Sequence, residues 1–207
     1  MPLQNRVTPT GDIVAADARG LFMGNRGILH SADKRLGTSR WKHKVWIVCV
    51  TSFRGRHRTV MTPRRYTELF FLDEAVALAA GHRPCFECRR RDYHAWQAAW
   101  RAGNGGPSLP PAREMDACLH RERIEPGTRL QRRSRAAPGG LPDGAFIFWQ
   151  QRPCLVAGGR LWPWSHGGYD AAVAIPRVET VIVLTPPSSV GALRGGYRPV
   201  LHPTAGL

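Results

Sequence analysis

The hydrophobic residues in the first half of the chain form short runs separated by polar and glycine-containing turns. Residues 45–53 and 58–61 are rich in β-branched and aromatic side chains and flank Arg54-Gly55-Arg56. This pattern predicts a β-hairpin with Gly55 at its tip. Residues 68–72 form a third apolar run and predict another strand.

Two helices are expected after these strands. Asp73 is a good helix cap, with Glu74 in the first turn, and it predicts a short helix through residue 80 with Gly81 as its left-handed stop. A second helix is expected from residue 84 or 85 to about residue 101. Its spacing places three aromatic side chains on one face: Tyr93, Trp96 and Trp100.

The stretch over residues 102–111 is rich in glycine and proline and predicts a loop or linker. We place a domain boundary there, between residues 1–104 and residues 105–207. In the second part a helix is expected at residues 112–124. The remaining elements are four short strands and a last helix, at residues 145–149, 154–157, 160–164, 179–184 and 185–196. The expected fold class is α+β, a small hairpin-and-helix module followed by a helix and a small β-rich domain.

Composition narrows the class of protein. Of the 207 residues, 43% are hydrophobic and 9% aromatic, which is enough for a packed core and excludes wholesale disorder. The apolar runs are too short to cross a bilayer, which argues against a membrane-spanning protein. The first twenty residues lack the basic and apolar regions of a secretory signal, so we expect a cytoplasmic protein.

The chain is strongly basic, with 30 lysine and arginine residues, 15 acidic residues and a formal net charge of +15. Such a surplus predicts a polyanionic partner, because clustered cations release counterions when they meet phosphates. The alternative is a cationic surface with no cognate partner. Residues 1–60 carry 11 basic and 3 acidic groups, so the charge is concentrated towards the N-terminus.

Five cysteines occur at uneven spacing, and Cys85 and Cys88 form a C-x-x-C pair. In a reducing compartment this pattern indicates metal or redox chemistry rather than a disulfide framework. A redox dithiol of the thioredoxin type requires a strand that leads directly into the motif, whereas here a helix and a glycine turn precede it. The pair therefore predicts half of a tetrahedral zinc site.

The segment FLDEAVALAAGHRPCFECRR, at residues 71–90, resembles the metal-binding module of the Ada DNA-repair protein and its stand-alone relatives. The shared features are a strand, a short EA…AAG helix, RPC-x-x-C-R and a following helix. The likeness is close over residues 70–90, looser over residues 24–69 and absent from residues 105–207. It implies a treble-clef-like zinc fold whose last two ligands are Cys85 and Cys88.

The other two ligands would lie upstream of the C-x-x-C pair. The segment Gly24-Asn25…His30 is similar to the upstream half of the motif in some of these relatives, which implies His30 as the third ligand. For the fourth we rank Cys49 ahead of Asp33 and His57, because a thiolate is the better zinc ligand. The alternative for Cys49 is a buried strand cysteine, since valines flank it.

Together these observations predict a zinc-containing nucleic-acid-binding protein, with DNA the favoured partner and DNA repair or processing the expected context. One alternative is a metal-dependent nuclease or DNA-modifying enzyme acting at the region of His30, Cys49, Cys85 and Cys88. Another is a zinc-stabilised protein–protein adaptor. Residues 161–169 are rich in aromatic side chains that could stack bases or form core. Six arginines are expected to contact nucleic acid: Arg54, Arg56, Arg58, Arg83, Arg89 and Arg90.

Overall fold

The computed structural model describes residues 1–56 and 59–206 and is an α+β protein with two sheets. The expected fold class is confirmed at this level. Within the described residues, no helix is long and apolar enough to cross a membrane.

The first sheet has six strands in the order β2-β1-β5-β3-β4-β6. Strand β3 lies in its middle and pairs antiparallel with both β4 and β5, while β6 pairs parallel with β4. The strands are β1 (Gln4–Val7), β2 (Ile13–Ala15), β3 (Phe22–Asn25), β4 (Ile47–Val50), β5 (Leu69–Phe71) and β6 (Arg83–Pro84).

The predicted hairpin around Gly55 is only half present. Its first strand is β4, and Gly55 has a left-handed φ of 65° in a turn. Residues 59–61 form no strand, and β4 pairs with β3 and β6 instead. A glycine makes the β3–β4 approach possible, because a Cβ on Gly24 would lie 2.2 Å from the carbonyl oxygen of Ile47.

The short helix α1 (Glu74–Ala79) confirms the prediction made from its capping residues. The Asp73 carboxylate accepts a hydrogen bond from the Val76 amide at 2.9 Å, and Gly81 has a φ of 81° beyond the last turn. Helix α2 (Arg90–Asn104) begins later than expected, because residues 85–88 form a turn in which the Arg89 amide donates to the Cys85 carbonyl. Its three aromatic side chains are buried, as predicted: Tyr93, Trp96 and Trp100.

The second sheet has seven strands, in the order β11-β10-β9-β8-β13-β7 with β12 beside β10. The glycine pair at residues 158–159 connects β9 and β10, both glycines with positive φ, which confirms the predicted hairpin. The strands are β7 (Ser134–Ala136), β8 (Phe146–Trp149), β9 (Arg152–Ala157), β10 (Arg160–Ser165), β11 (Gly168–Tyr169), β12 (Val173–Ala174) and β13 (Val181–Val183). The remaining helices are α3 (Ala112–Arg123) and α4 (Pro187–Arg194).

Two hydrophobic cores hold these elements together, and each takes side chains from both sides of residue 104. In the first, Phe71 and Ala75 pack in one cluster with Phe146 and Leu155. In the second, Trp96 of α2 packs in one cluster with residues from α3, α4 and the second sheet. The domain boundary remains a prediction, but the two parts that it would separate share both cores.

Candidate metal centre

Three cysteines converge at one edge of the first sheet. Cys49 lies in β4, and Cys85 and Cys88 lie in the turn between β6 and α2. The parallel pairing of β6 with β4 continues into a hydrogen bond of 3.0 Å from the Cys85 amide to the Val48 carbonyl. This pairing places the turn beside Cys49, and the three sulfur atoms all lie within 4.8 Å of one another.

The sulfurs are close enough to compete for protons. Hydrogen bonds from the Cys49 and Cys88 thiols lower the pKa of Cys85. Hydrogen bonding to Cys85 and Cys88 raises the pKa of Cys49. Three thiolates cannot share this space unless a cation neutralises them. The three cysteines are therefore close enough to bind one metal ion, and Cys49 lies beside the C-x-x-C pair.

A pocket of about 280 Å³ opens beside the cysteines, and one face of the first sheet forms its floor. Met23 of β3 pairs with Cys49 on one side and with Phe70 on the other, which forms one row of that floor. Asn25 and Ile47 form part of the next row. Directly opposed residues share a face of a sheet, so these side chains point into the same space.

Glu68 is a buried carboxylate in the wall of this pocket, with an exposed fraction of 3%. Its Oε2 accepts a hydrogen bond of 2.8 Å from the Met61 amide. Its Oε1 has no hydrogen-bond partner among the described residues. The sequence pattern did not single out Glu68 as a candidate site residue. Its position could have indicated a special role, because Glu68 directly precedes the apolar strand β5 and a buried charge is costly there.

The other predicted ligands lie elsewhere or outside the described residues. His30 is buried, with Nδ1 2.7 Å from the Thr67 hydroxyl and Nε2 3.3 Å from the Thr62 carbonyl, and it does not join the cysteine group. Both ring nitrogens are thus already engaged. Asp33 is also outside the group. His57 lies outside the residues that the structure describes, so its role stays a prediction.

The predicted nucleic-acid-binding arginines divide into two sets. Arg83 and Arg89 are buried, and their guanidinium groups pair with Asp116 and Glu74 at 2.7 Å. These two arginines are not available to bind nucleic acid, because separating either from its carboxylate would leave a buried charge unpaired. The other members of the predicted set that the structure describes are exposed: Arg54, Arg56 and Arg90. Arg58 lies outside the described part of the chain.

Each exposed arginine stacks on a phenylalanine near the cysteines. Arg54 and Arg56 lie 5.0 and 5.4 Å from the ring centroid of Phe53, and Arg90 lies 4.5 Å from that of Phe86. Phe86 sits between the two C-x-x-C cysteines and is 45% exposed. An ion pair of 2.8 Å joins Arg56 to Glu87, which lies in the same turn as Phe86. We call these five residues the Phe–Arg rim: Phe53, Arg54, Arg56, Phe86 and Arg90.

Most of the aromatic segment at residues 161–169 serves as core, since Trp164 and Tyr169 are 8% and 7% exposed and belong to the first core cluster. Cys118 and Cys154 are also outside the metal-binding group. In comparisons with known proteins, the chain matches no protein-family model, no curated protein and no solved structure.

Proposed function

We propose that this chain is a zinc-containing nucleic-acid-binding protein whose zinc ion is held by Cys49, Cys85 and Cys88. The donor chemistry supports zinc, because soft thiolates at this spacing suit it and tetrahedral zinc sites hold sulfurs about 3.8 Å apart. A bound Zn²⁺ would offset two of the three thiolate charges and fix the turn that carries Phe86. The observation that carries the proposal is the position of the Phe–Arg rim beside these three cysteines.

The rim offers both kinds of contact that nucleic acids require. Exposed guanidinium groups bind phosphate oxygens, and an exposed aromatic ring stacks on an unpaired base. Phe86 is half exposed and is held against Arg90, so the stacking surface and the charge are adjacent. We propose DNA as the partner, on the resemblance of residues 70–90 to the Ada module. A single-stranded or flipped-out base suits the rim better than an intact duplex.

Fluorescence anisotropy with labelled single-stranded and duplex DNA, measured between 50 and 300 mM salt, tests the proposal. We expect affinity to fall steeply with salt, and single-stranded DNA to bind more tightly than duplex. Combining Arg54→Gln, Arg56→Gln and Arg90→Gln should weaken binding by about tenfold or more and reduce the salt slope.

The matched control changes three exposed arginines outside the rim, Arg113→Gln, Arg121→Gln and Arg177→Gln, and alters the net charge equally. Equal loss in both triple variants would mean that binding is diffuse charge attraction. Absence of binding to any DNA or RNA probe would remove the proposed partner.

Elemental analysis of the purified protein tests the metal. We expect about one zinc ion per chain, lost in Cys85→Ser and retained in Cys118→Ser, a cysteine outside the metal-binding group. Chelation should lower the melting temperature of the wild-type protein and leave that of Cys85→Ser unchanged. Folded protein that contains another metal, or none, would contradict the zinc assignment.

A second candidate, a metal-dependent nuclease, is favoured by one specific observation. The three cysteines and the buried Glu68 line the same pocket, and Oε1 of Glu68 is unpaired among the described residues. Zinc sites with three protein ligands and a free position are typical of catalysis, where the metal polarises water or substrate. Glu68 would then accept the proton of the water that attacks a phosphodiester.

Incubation of zinc-loaded protein with supercoiled plasmid separates the two candidates. Nicking that disappears in Glu68→Gln, with the zinc content unchanged, would favour the enzyme. Asp92→Asn, which changes a half-exposed carboxylate outside the pocket, is the control. If the wild-type protein binds DNA without cleaving it, the nuclease candidate is excluded and the binding function remains.

A further inference from the structure

A second, smaller cavity of about 30 Å³ is dominated by arginine. It shares no lining residue with the cysteine pocket. Asn25 and Ile47 line the cysteine pocket, whereas their chain neighbours Arg26 and Trp46 line this cavity. The charged residues around it are four arginines and one carboxylate: Arg26, Arg40, Arg123, Arg129 and Asp12.

Two of these arginines are deeply buried, and neither has a carboxylate partner among the described residues. Arg26 and Arg123 are 2% and 1% exposed, and their guanidinium carbons lie 4.1 and 3.8 Å from the ring centroid of Trp46. Their hydrogen bonds to the backbone go to neutral carbonyls, from Arg26 to Gly11 and from Arg123 to Gly81 and Lys44. Such carbonyls solvate a cation, but they supply no counter-charge.

The other buried arginines of the described residues provide the comparison. Arg83 and Arg89 each have a carboxylate within 2.7 Å. Around Trp46, by contrast, Nη2 of Arg26 and Nε of Arg123 have no hydrogen-bond partner among the residues described. Burial of an unpaired charge is costly, so two such groups beside one cavity indicate a missing anion.

The four arginines differ in burial, from the protein surface to the interior. Arg129 is exposed, Arg40 is half-buried and the other two are buried. Burial lowers the pKa of Arg26 to about 9, so it still carries its charge at neutral pH. Asp12 is exposed at the edge of the cavity, and one carboxylate cannot balance four guanidinium groups.

One further unpaired atom indicates which anion fits. The Gln131 side chain lines the cavity, and its amide nitrogen donates to the carbonyls of Ala79 and Leu184. Its Oε1 is buried without a partner among the described residues, and it can only accept a hydrogen bond. Hydrogen phosphate carries a proton to donate at neutral pH, whereas sulfate does not.

We propose that this cavity is an anion site for hydrogen phosphate, with Arg26 and Arg123 as its inner cationic wall and Gln131 as the acceptor of the phosphate proton. Arg40 and Arg129 contribute to the outer wall. Together with Trp41 they also line a wider cleft of about 550 Å³. The phosphate is thus either the free ion or the terminal group of a monoester whose organic part occupies the cleft. A monoester, whose second pKa is about 6, would bind in the monoprotonated form that keeps a proton for Gln131.

Isothermal titration calorimetry in a chloride buffer of constant ionic strength tests the site with inorganic phosphate, glycerol 3-phosphate and sulfate. We expect one phosphate per chain and sulfate at least about tenfold weaker, because it leaves Gln131 unpaired. Tighter binding of glycerol 3-phosphate would identify a monoester as the ligand, and tighter binding of inorganic phosphate would identify the free ion.

The exposed wall supplies variants that should fold. Combining Arg40→Gln with Arg129→Gln should weaken phosphate binding by about tenfold or more, because charge-assisted hydrogen bonds are lost. The control pair is Arg113→Gln with Arg121→Gln, which should bind as wild type. Absence of saturable phosphate binding, or equal weakening by both pairs, would overturn the site. Equal affinity for sulfate would overturn the choice of phosphate.

Discussion

His82 is a buried imidazole among aromatic rings and arginines. Its ring centroid lies 4.7 Å from that of Phe71 and 5.2 Å from that of Trp46. Burial, followed by the charges of Arg26 and Arg123, holds the pKa of His82 well below its ordinary value. The folded protein therefore keeps this histidine neutral where the unfolded chain would already protonate it.

This difference predicts acid destabilisation with a defined sign. Below about pH 6.5 the unfolded state binds a proton at residue 82 that the folded state does not, so stability falls as pH falls. His82 then lowers the free energy of unfolding by up to about 1.4 kcal/mol for each pH unit of acidification. Urea unfolding at pH 7.5, 6.5 and 5.5 should show a shallower pH slope for His82→Asn than for wild type.

The exposed His94 provides the control for this measurement. His94→Asn makes the same exchange outside this cluster and measures any general effect of replacing a histidine by asparagine. If His82→Asn retained the full wild-type slope, another group would be responsible for the acid sensitivity.

At the residue scale, the sequence predicted the group of three cysteines from one local motif and from donor chemistry. Cys85 and Cys88 follow from C-x-x-C, and Cys49 follows from the preference of zinc for thiolate. His30 could not be judged in this way, because Thr67 occupies its Nδ1 and is 37 residues away. The pocket position of Glu68 depends on the order of strands in the sheet, which no local pattern encodes.

At the scale of elements, capping residues predicted helices better than apolar runs predicted strand partners. Asp73 and Gly81 set the ends of α1, because their backbone preferences act locally. Strand β4 was expected from its composition, but its partners β3 and β6 come from segments more than 20 residues away in sequence. The late start of α2 has the same origin, since its preceding turn is fixed by pairing with β4.

A buried ion pair joins α1 to the start of α2, directly after the cysteine turn. Both oxygens of Glu74 accept from Arg89, at 2.7 and 2.9 Å. The same carboxylate accepts from the Tyr197 hydroxyl and the Val200 amide. Glu74 thus neutralises one buried cation and ties the C-terminal segment to α1.

Glu74→Gln should lower the free energy of unfolding by about 3 kcal/mol, because it leaves the buried Arg89 without its main counter-charge. Urea denaturation at neutral pH measures the change. Asp92→Asn, which removes the half-exposed partner of the same arginine, should cost less than about 1 kcal/mol. Similar costs for both variants would show that the buried pair contributes no special stability.

At the scale of the whole molecule, the two cores connect the part of the chain that carries the three cysteines to the C-terminal half. Phe71 and Ala75 of the first sheet and α1 share a cluster with Phe146, Leu155 and Tyr169. The Tyr169 hydroxyl also donates to Asp73, the cap of α1, at 2.7 Å. The glycine- and proline-rich stretch at residues 102–111 predicts a loop or linker, but such a composition carries no information about which faces pack together.

This shared packing predicts that residues 1–104 do not fold alone. The fragment would expose the faces of α1 and α2 that residues 146–197 cover in the whole chain. It would also lose the tyrosine hydroxyls that donate to Asp73 and Glu74. Circular dichroism and heat denaturation of the fragment should show no cooperative transition, even with zinc present. Mixing it with residues 105–207 should restore a transition, since the cleavage falls at the exposed C-terminal end of α2. A fragment that melts cooperatively by itself and binds zinc would instead establish an independent metal-binding domain, and the contacts across residue 104 would then be docking between two domains.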